Sequence, residues 1–241
     1  MIDTHAHLNE IEDIQRAILR AKDVGIKGIV AVGMDLLSNQ RTLDLARQFP
    51  GMVHPAIGYH PWSISQDTIE ENLRFIEKNL VSCIALGEVG IDYKIKVKKP
   101  LQWEIFSKLL SIAYRHNRPV IVHSRFSHKR SHGMVKDSGI EKGVFHWYSG
   151  PREILEKIIA DGYYVSATPA LLYSPPHQAA MRAAPIERIL VETDSPVEYQ
   201  GRISEPADLL ITLEELSRLK GVPFEDVRLI TSNNARLFFN L

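Results

Sequence analysis

The chain has 241 residues, 29 Lys plus Arg against 29 Asp plus Glu, and 44% apolar content, a composition that excludes an intrinsically disordered chain unable to offset its ordering entropy by burial. Zero formal charge argues against non-specific nucleic-acid binding over the whole surface while leaving a local basic patch open. A single cysteine, Cys83, excludes an intrachain disulfide, the start Met1-Ile2-Asp3-Thr4-His5 lacks the regions of a secretory signal, and no apolar run approaches the ~20 residues of a membrane span; the expectation is a cytoplasmic protein with no membrane partner.

Short β-branched runs alternate with stretches of helical periodicity. Strand Ile2–His7 leads to helix Ile11–Val24, then strand Gly28–Gly33 to helix Ser38–Gln48. Strand Val53–Ile57 precedes helix Asp67–Asn79, and strand Ile84–Glu88 precedes helix Pro100–His116. Strand Val120–His123 is followed by helix His132–Asp137, and strand Gly143–His146 by helix Arg152–Asp161. Strand Tyr163–Ser166 and helix His177–Ala183 flank Thr168–Pro176, which holds three prolines. Strand Ile189–Glu192 comes last, before helices Glu205–Lys220 and Pro223–Phe239. Eight βα steps of about 30 residues each, with strands that read as continuous apolar runs, predict an α/β fold: a (β/α)8 TIM barrel of parallel strands with an extra C-terminal helix, one domain over residues 1–241. An open doubly wound sheet is the alternative.

Active sites of such barrels lie at the C-terminal ends of the strands. There the apolar pattern breaks: His5 and His7, Glu88, His123, His146 and Asp194 stand at five of the eight strand ends. Residues i and i+2 of a strand share a face, so His5 and His7 can present two imidazoles to one ion. Six donors exceed the three protein ligands of a catalytic zinc and suit two divalent ions about 3.5–4 Å apart, with Glu88 the best bridge between them. Two dications balanced by Glu88, Asp194 and one hydroxide leave about +1, which favours an anionic substrate or transition state.

These residues lie in motifs that resemble one family. Asp3-Thr4-His5-Ala6-His7, Gly58-Tyr59-His60-Pro61, Gly87-Glu88-Val89-Gly90-Ile91-Asp92-Tyr93, Val122-His123-Ser124-Arg125, Phe145-His146 with Ser149-Gly150, Glu192-Thr193-Asp194-Ser195-Pro196 and Asn234-Ala235-Arg236-Leu237-Phe238 are together similar to the TatD metal-dependent hydrolases of the amidohydrolase superfamily. The resemblance covers essentially the whole chain. It implies that His5, His7, Glu88 and Asp194 hold one metal and Glu88, His123 and His146 the other. It also implies divalent-metal-dependent phosphodiester hydrolysis of DNA, often exonucleolytic, with His60 and Arg125 near the substrate phosphate. Where the family usually carries Cys-Phe after the strand-six histidine, this chain has Trp147-Tyr148, and the segment after Arg125 is rich in His and Lys instead of carrying the usual Asp. The loop Val197–Ser204 is expected to be short.

Asp194 and Glu88 are the candidate catalytic residues, Asp194 as ligand and acceptor of a proton from the nucleophilic water. Glu192 would share the face of Asp194 and, buried, needs a partner: it orients a ligand or pairs with a cation. Asp92 is read as ordering the loop after the fourth strand. Two basic clusters, Lys94-Lys96-Lys98-Lys99 and Arg125-His128-Lys129-Arg130-His132, fall on the catalytic rim and would track phosphates, with Trp62, Tyr93, Trp147 and Tyr148 as faces for bases. His54 reads as a core histidine, and His116, His128, His132 and His177 as surface residues. Imidazole and carboxylate donors favour Zn, Mn, Co or Ni, with Mg compatible with the family. The expected activity is therefore a deoxyribonuclease-like hydrolase. The alternatives are hydrolysis of a small ester, lactone, amide or phosphoester at the same site, and a metal-binding scaffold without turnover. Polarity of digestion and oligomeric state are left open.

Overall fold

In the computed structural model, which describes residues 1–241, eight parallel strands follow one another in chain order around a barrel: β1 Ile2–Ala6, β2 Gly28–Val32, β3 Val53–Ile57, β4 Ala85–Asp92, β5 Val120–Arg125, β6 Gly143–Phe145, β7 Tyr164–Ala167 and β8 Ile189–Val191. The helices α1 Ile14–Asp23, α2 Leu36–Gln48, α3 Ile69–Asn79, α4 Lys99–Arg115, α5 His128–Asp137, α6 Arg152–Ala160, α7 Pro175–Ala183 and α8 Leu209–Lys220 connect or follow the strands, and α9 Phe224–Phe239 ends the chain. The barrel closes through the end of β8 and the segment after it: Thr4 Oγ1 donates to Val191 O at 3.0 Å, Asp194 N to His5 O at 2.9 Å and His7 N to Ser195 O at 2.7 Å. The open-sheet alternative is thereby excluded.

Local chemistry explains most boundaries. Asp35 caps α2 by accepting Ser38 N–H at 2.8 Å while the Ser38 hydroxyl answers the Asp35 N–H. Pro100 opens α4 and Pro175 and Pro176 open α7, where a missing N–H costs nothing. The three prolines of Thr168–Pro176 therefore delimit a short 3-10 turn, Pro169–Leu172, and the start of α7 without interrupting a strand. In α6, Ile154, Leu155 and Ile158 form the buried stripe that seats the helix on the sheet.

Inside the barrel, Ile2, Val30, Val32, Ala56, Ala85, Ile121, Val144 and Leu190 pack together with Ala235, Phe238 and Phe239. The last two come from α9, whose end also reaches Tyr164, 5.2 Å from Phe238 between ring centroids, and Lys142, which donates to Leu237 O. Since Ile2, Lys142 and Tyr164 stand at strand starts, the extra helix plugs the N-terminal mouth and leaves the opposite mouth for chemistry.

Three differences from the sequence reading bear on the site. β4 runs four residues past Glu88 to Asp92, and β5 runs two past His123 to Arg125, because their ladders continue in register as Gly90–His123, Ile91–Ser124 and Asp92–Arg125. α5 begins at His128, four residues early, which places His128, Lys129, Arg130 and His132 of the second basic cluster on a helix. The segment 197–204 is a two-stranded hairpin, β9 Glu198–Tyr199 and β10 Arg202–Ile203, turned by Gln200 and Gly201 at positive φ.

Candidate metal centre

Two strands lose regular register where they deliver donors: β1 between Asp3 and Ala6, and β4 between Leu86 and Val89. Such irregularities re-aim side chains. Gly58, beside the end of β3, makes room for the second: a Cβ there would collide with the Glu88 backbone. Asp194 holds a left-handed backbone at φ 52°, and Trp147, next to His146, at φ 42°. Strained non-glycine residues of this kind persist where neighbouring contacts fix them, and they cluster at functional sites. For Asp194 the fixing contacts come from Asp3, whose carboxylate accepts Thr193 N–H at 3.0 Å and the Thr193 hydroxyl at 2.6 Å.

The six sequence candidates His5, His7, Glu88, His123, His146 and Asp194 converge in one cradle. His5 Nε2 and His7 Nε2 lie 3.4 Å apart. Each approaches Glu88 Oε2, at 3.3 and 3.5 Å, and Asp194 Oδ1, at 3.4 Å in both cases. The five distances among these four atoms all fall between 3.3 and 3.5 Å, so two imidazoles and two carboxylates crowd one small space. The other carboxylate oxygen, Glu88 Oε1, faces a second group: His146 Nε2 at 2.7 Å, His123 Nδ1 at 2.8 Å and His60 Nε2 at 3.3 Å.

Five buried polar atoms without a hydrogen-bond partner belong to this cradle: His5 Nδ1, His7 Nδ1, His123 Nε2, His146 Nδ1 and Asp194 Oδ1. Only Asn72 Oδ1 and Arg118 Nε share that condition elsewhere. Of the five in the cradle, Asp194 Oδ1 faces His5 Nε2 and His7 Nε2, whereas the four ring nitrogens are the ones turned away from Glu88; an unpartnered carboxylate oxygen among four imidazoles and a second carboxylate fits the donor set of a divalent cation.

The electrostatics agree. Burial alone would raise the Glu88 carboxyl, yet His146, His60 and His123 hold it well below the ordinary carboxylate range. Asp194 is likewise lowered against burial, by His7, His5 and His146. Burial opposes a proton on His146, but Glu88 and Glu192 raise it well above the ordinary value. His7 and His123 are raised against burial too, by Asp194 and Glu88 at His7 and by Asp92 and Glu88 at His123. The cradle thus attracts positive charge.

The two carboxylates outside it take comparable positions. Glu192 Oε1 lies 3.4 Å from His146 Nδ1 and accepts Trp147 N–H at 3.0 Å. Asp92 Oδ2 lies 3.5 Å from His123 Nε2 and accepts Trp62 Nε1–H at 2.6 Å. Asp92 also accepts Lys94 N–H at 2.7 Å, so it orders its loop as expected and touches a cradle histidine as well. These donors outweigh the burial that would raise it and hold the Asp92 carboxyl at about 2.

His60 lies on the loop after β3, as expected, and is buried against Glu88. Its Nδ1 accepts Trp62 N–H at 3.2 Å, so the ring proton sits on Nε2; burial depresses its pKa to about 4 and the ring is neutral. Arg125 is exposed at the end of β5, outside the cradle, with no side-chain hydrogen bond. Four other readings need correction. His177 is fully buried, accepting Thr168 N–H and donating to Tyr148 O at 2.8 Å. His132 is buried against Asp161, 2.8 Å away. Tyr148 is fully buried and offers no face to a base. His54 is only half-buried, against Gly28. Sequence reasoning gave no role to Asp3 as the clamp on Thr193; its signal was a carboxylate in the middle of an apolar strand.

The model of the family described as TatD related DNase matches residues 2–240. YabD, an uncharacterized metal-dependent hydrolase of Bacillus subtilis (strain 168), is 29% identical over 100% of this chain and 99% of its own length. The human deoxyribonuclease TATDN3 is 27% identical over 99% of this chain and 94% of its own. The crystal structure of YJJV, a TatD homolog from Escherichia coli K12, superposes with a TM-score of 0.91 at 25% identity, covering 100% of this chain and 98% of that one. No helix here is long and apolar enough to cross a membrane. With a closed parallel barrel, the donor cradle at its C-terminal mouth and this match along the chain, the protein belongs to the TatD family of metal-dependent hydrolases.

Proposed function

We propose that the protein is a divalent-metal-dependent phosphodiesterase acting on DNA, working as one barrel domain over residues 1–241 with two ions per chain. The observation that carries this is the division of the Glu88 carboxylate, Oε2 toward His5 and His7 and Oε1 toward His123 and His146. In this reading His5, His7, Asp194 and Glu88 hold one ion, and Glu88, His123 and His146 the other. Zn, Mn, Co or Ni suit the imidazole-rich set, and Mg is compatible with the family. When bound, such a pair lowers the pKa of water from 15.7 toward about 7 and polarises a phosphoryl oxygen.

The chain's own groups do the rest. Asp194, ionised because its imidazole neighbours hold its carboxyl down, accepts the proton of the attacking water and later returns one to the leaving oxygen. Glu88 keeps the two histidine groups in fixed relation. Glu192 and Asp92 orient His146 and His123. His60, neutral, has its one ring proton on Nε2, beside Glu88 Oε1; with a cation at that oxygen, Nε2 would be free to donate to a phosphate oxygen. Arg125 and the basic rim supply charge for the strand. Buried Cys83 and the lack of any disulfide support a cytoplasmic setting.

The test is a panel of end-labelled single-stranded DNA, a p-nitrophenyl phosphodiester and a lactone, each with Mn and with Zn. The account expects metal-dependent cleavage of the DNA and the diester. Cleavage of the lactone alone would overturn it in favour of small-ester hydrolysis, and turnover of none of the panel would favour a scaffold.

A further inference from the structure

Beside the metal centre, the step from β5 into α5 carries an arrangement that folding does not explain. Arg125 O accepts Tyr93 N–H at 2.9 Å, and the buried Ser127 hydroxyl donates to Ile91 O at 2.6 Å. Between these anchors Phe126 adopts φ 56° and is 64% exposed. A left-handed backbone is unfavourable at an aromatic residue, and glycine or asparagine would meet the geometry more easily. Holding a large apolar ring in water is unfavourable as well.

The surroundings point to a ligand. Phe126, Tyr93 and Met134 line a cleft of about 360 Å³ with Lys129, Arg130 and one acidic side chain, Asp137. Lys94 Nζ stands 5.1 Å from the centre of the Phe126 ring, and the Arg130 guanidinium is parked 4.2 Å above Trp103. None of Lys94, Lys96, Lys98, Lys99, Arg125, Lys129 and Arg130 forms an ion pair, whereas Lys108 and Lys136 on α4 and α5 each pair with a carboxylate at 2.8 Å. Tyr93 and Phe126 of the cleft directly follow Asp92 and Arg125, which are in register on β4 and β5, and Asp92 accepts the Trp62 indole N–H and lies 3.5 Å from His123 Nε2. Trp62, 54% exposed, lies 6.0 Å from His123 between ring centroids. Exposed aromatic faces flanked by free cations are how single strands are held without sequence preference.

We infer that Phe126 is the stacking platform of a single-stranded DNA subsite, served by Lys94, Lys129 and Arg130, that holds the strand beyond the phosphate being cleaved. This rests on the nuclease reading above and adds a specificity residue to it. A base lies on the Phe126 ring, and the adjoining phosphates track the Lys94 and Lys129 side, away from Asp137.

Metal-loaded wild type, Phe126→Ala and Phe126→Trp are compared on an oligothymidylate of about 12 nucleotides and on thymidine 5′-(p-nitrophenyl phosphate), which carries no second nucleotide to lay on the platform. Phe126→Ala is expected to raise the oligonucleotide KM about tenfold, the worth of one stacked base. The small diester should stay within about twofold, and Phe126→Trp should restore the oligonucleotide. An abasic nucleotide scanned along the oligomer should find one position whose loss costs wild type the same factor and Phe126→Ala nothing further. If Phe126→Ala leaves oligonucleotide cleavage unchanged, or weakens both substrates equally, the subsite is wrong and the nuclease reading stands. If wild type cleaves the small diester but no oligonucleotide, the DNA reading itself fails and the subsite with it.

Discussion

Glu192 holds its Oε1 3.4 Å from Nδ1 of His146 and in the same position accepts the Trp147 N–H at 3.0 Å. The carboxylate thus aims the imidazole at Glu88 and fixes the strained residue that follows it. Removing the charge while keeping the shape isolates the first role. Glu192→Gln is expected to weaken metal affinity about 10–100-fold and to leave the fold intact, as read by Mn titration beside circular dichroism. Unchanged affinity would reduce Glu192 to a backbone anchor.

Asp194 differs in kind, since the proposal gives it both a bond to an ion and the proton of the attacking water. Asp194→Asn should lower kcat on a small phosphodiester by about 10²–10⁴ at saturating Mn. Activity that survives this change at saturating metal would remove the proton-accepting role and leave only coordination.

The histidines set a pH dependence whose sign can be worked out. His146, His7 and His123 have folded pKa values raised above 6.5, by Glu88 and Glu192, by Asp194, and by Asp92 and Glu88 respectively. The stability they contribute is complete below 6.5 and is lost as pH climbs through the raised values. Asp3, pushed up to about 8 by burial, acts in the same direction, because its charged form is penalised in the fold. In EDTA the melting temperature should therefore fall as the pH is raised above about 6.5. A cation displaces the histidine protons, so the rise in Tm on adding Zn should grow over the same interval. A metal-induced rise that is flat with pH would contradict the cradle's proton occupancy.

At the other end of the barrel, Phe238 is a plug. It is 1% exposed and packs on the interior strand residues and on Tyr164. Phe238→Ala should cost about 3–5 kcal/mol in urea unfolding. Metal affinity should remain unchanged, since the side chain lies at the opposite mouth. A loss well below that range would mean α9 is an appendage, not part of the barrel core.

The six donors were legible because each interrupts an apolar run at a strand end, and the one-dimensional pattern maps directly onto the catalytic mouth. His60 was harder. Its motif pointed to the mouth, but only the three-dimensional path of β3 puts its ring against Glu88 rather than in solvent. His132 and His177 were misplaced for a different reason: on short polar helices their burial depends on partners such as Asp161, Thr168 and Tyr148, contributed by distant segments. Phe126 carried no signal at all, since neither its positive φ nor the cleft beside it is written in residue spacing. The hairpin after Asp194 escaped notice because its two strands are only two residues each.

The central claim is that Glu88 stands between two cations. Anomalous scattering from a crystal grown with Mn addresses it directly. The account predicts two peaks per chain about 3.5–4 Å apart, one beside His5, His7 and Asp194 and the other beside His123 and His146. A single peak, or peaks outside this cradle, would contradict it.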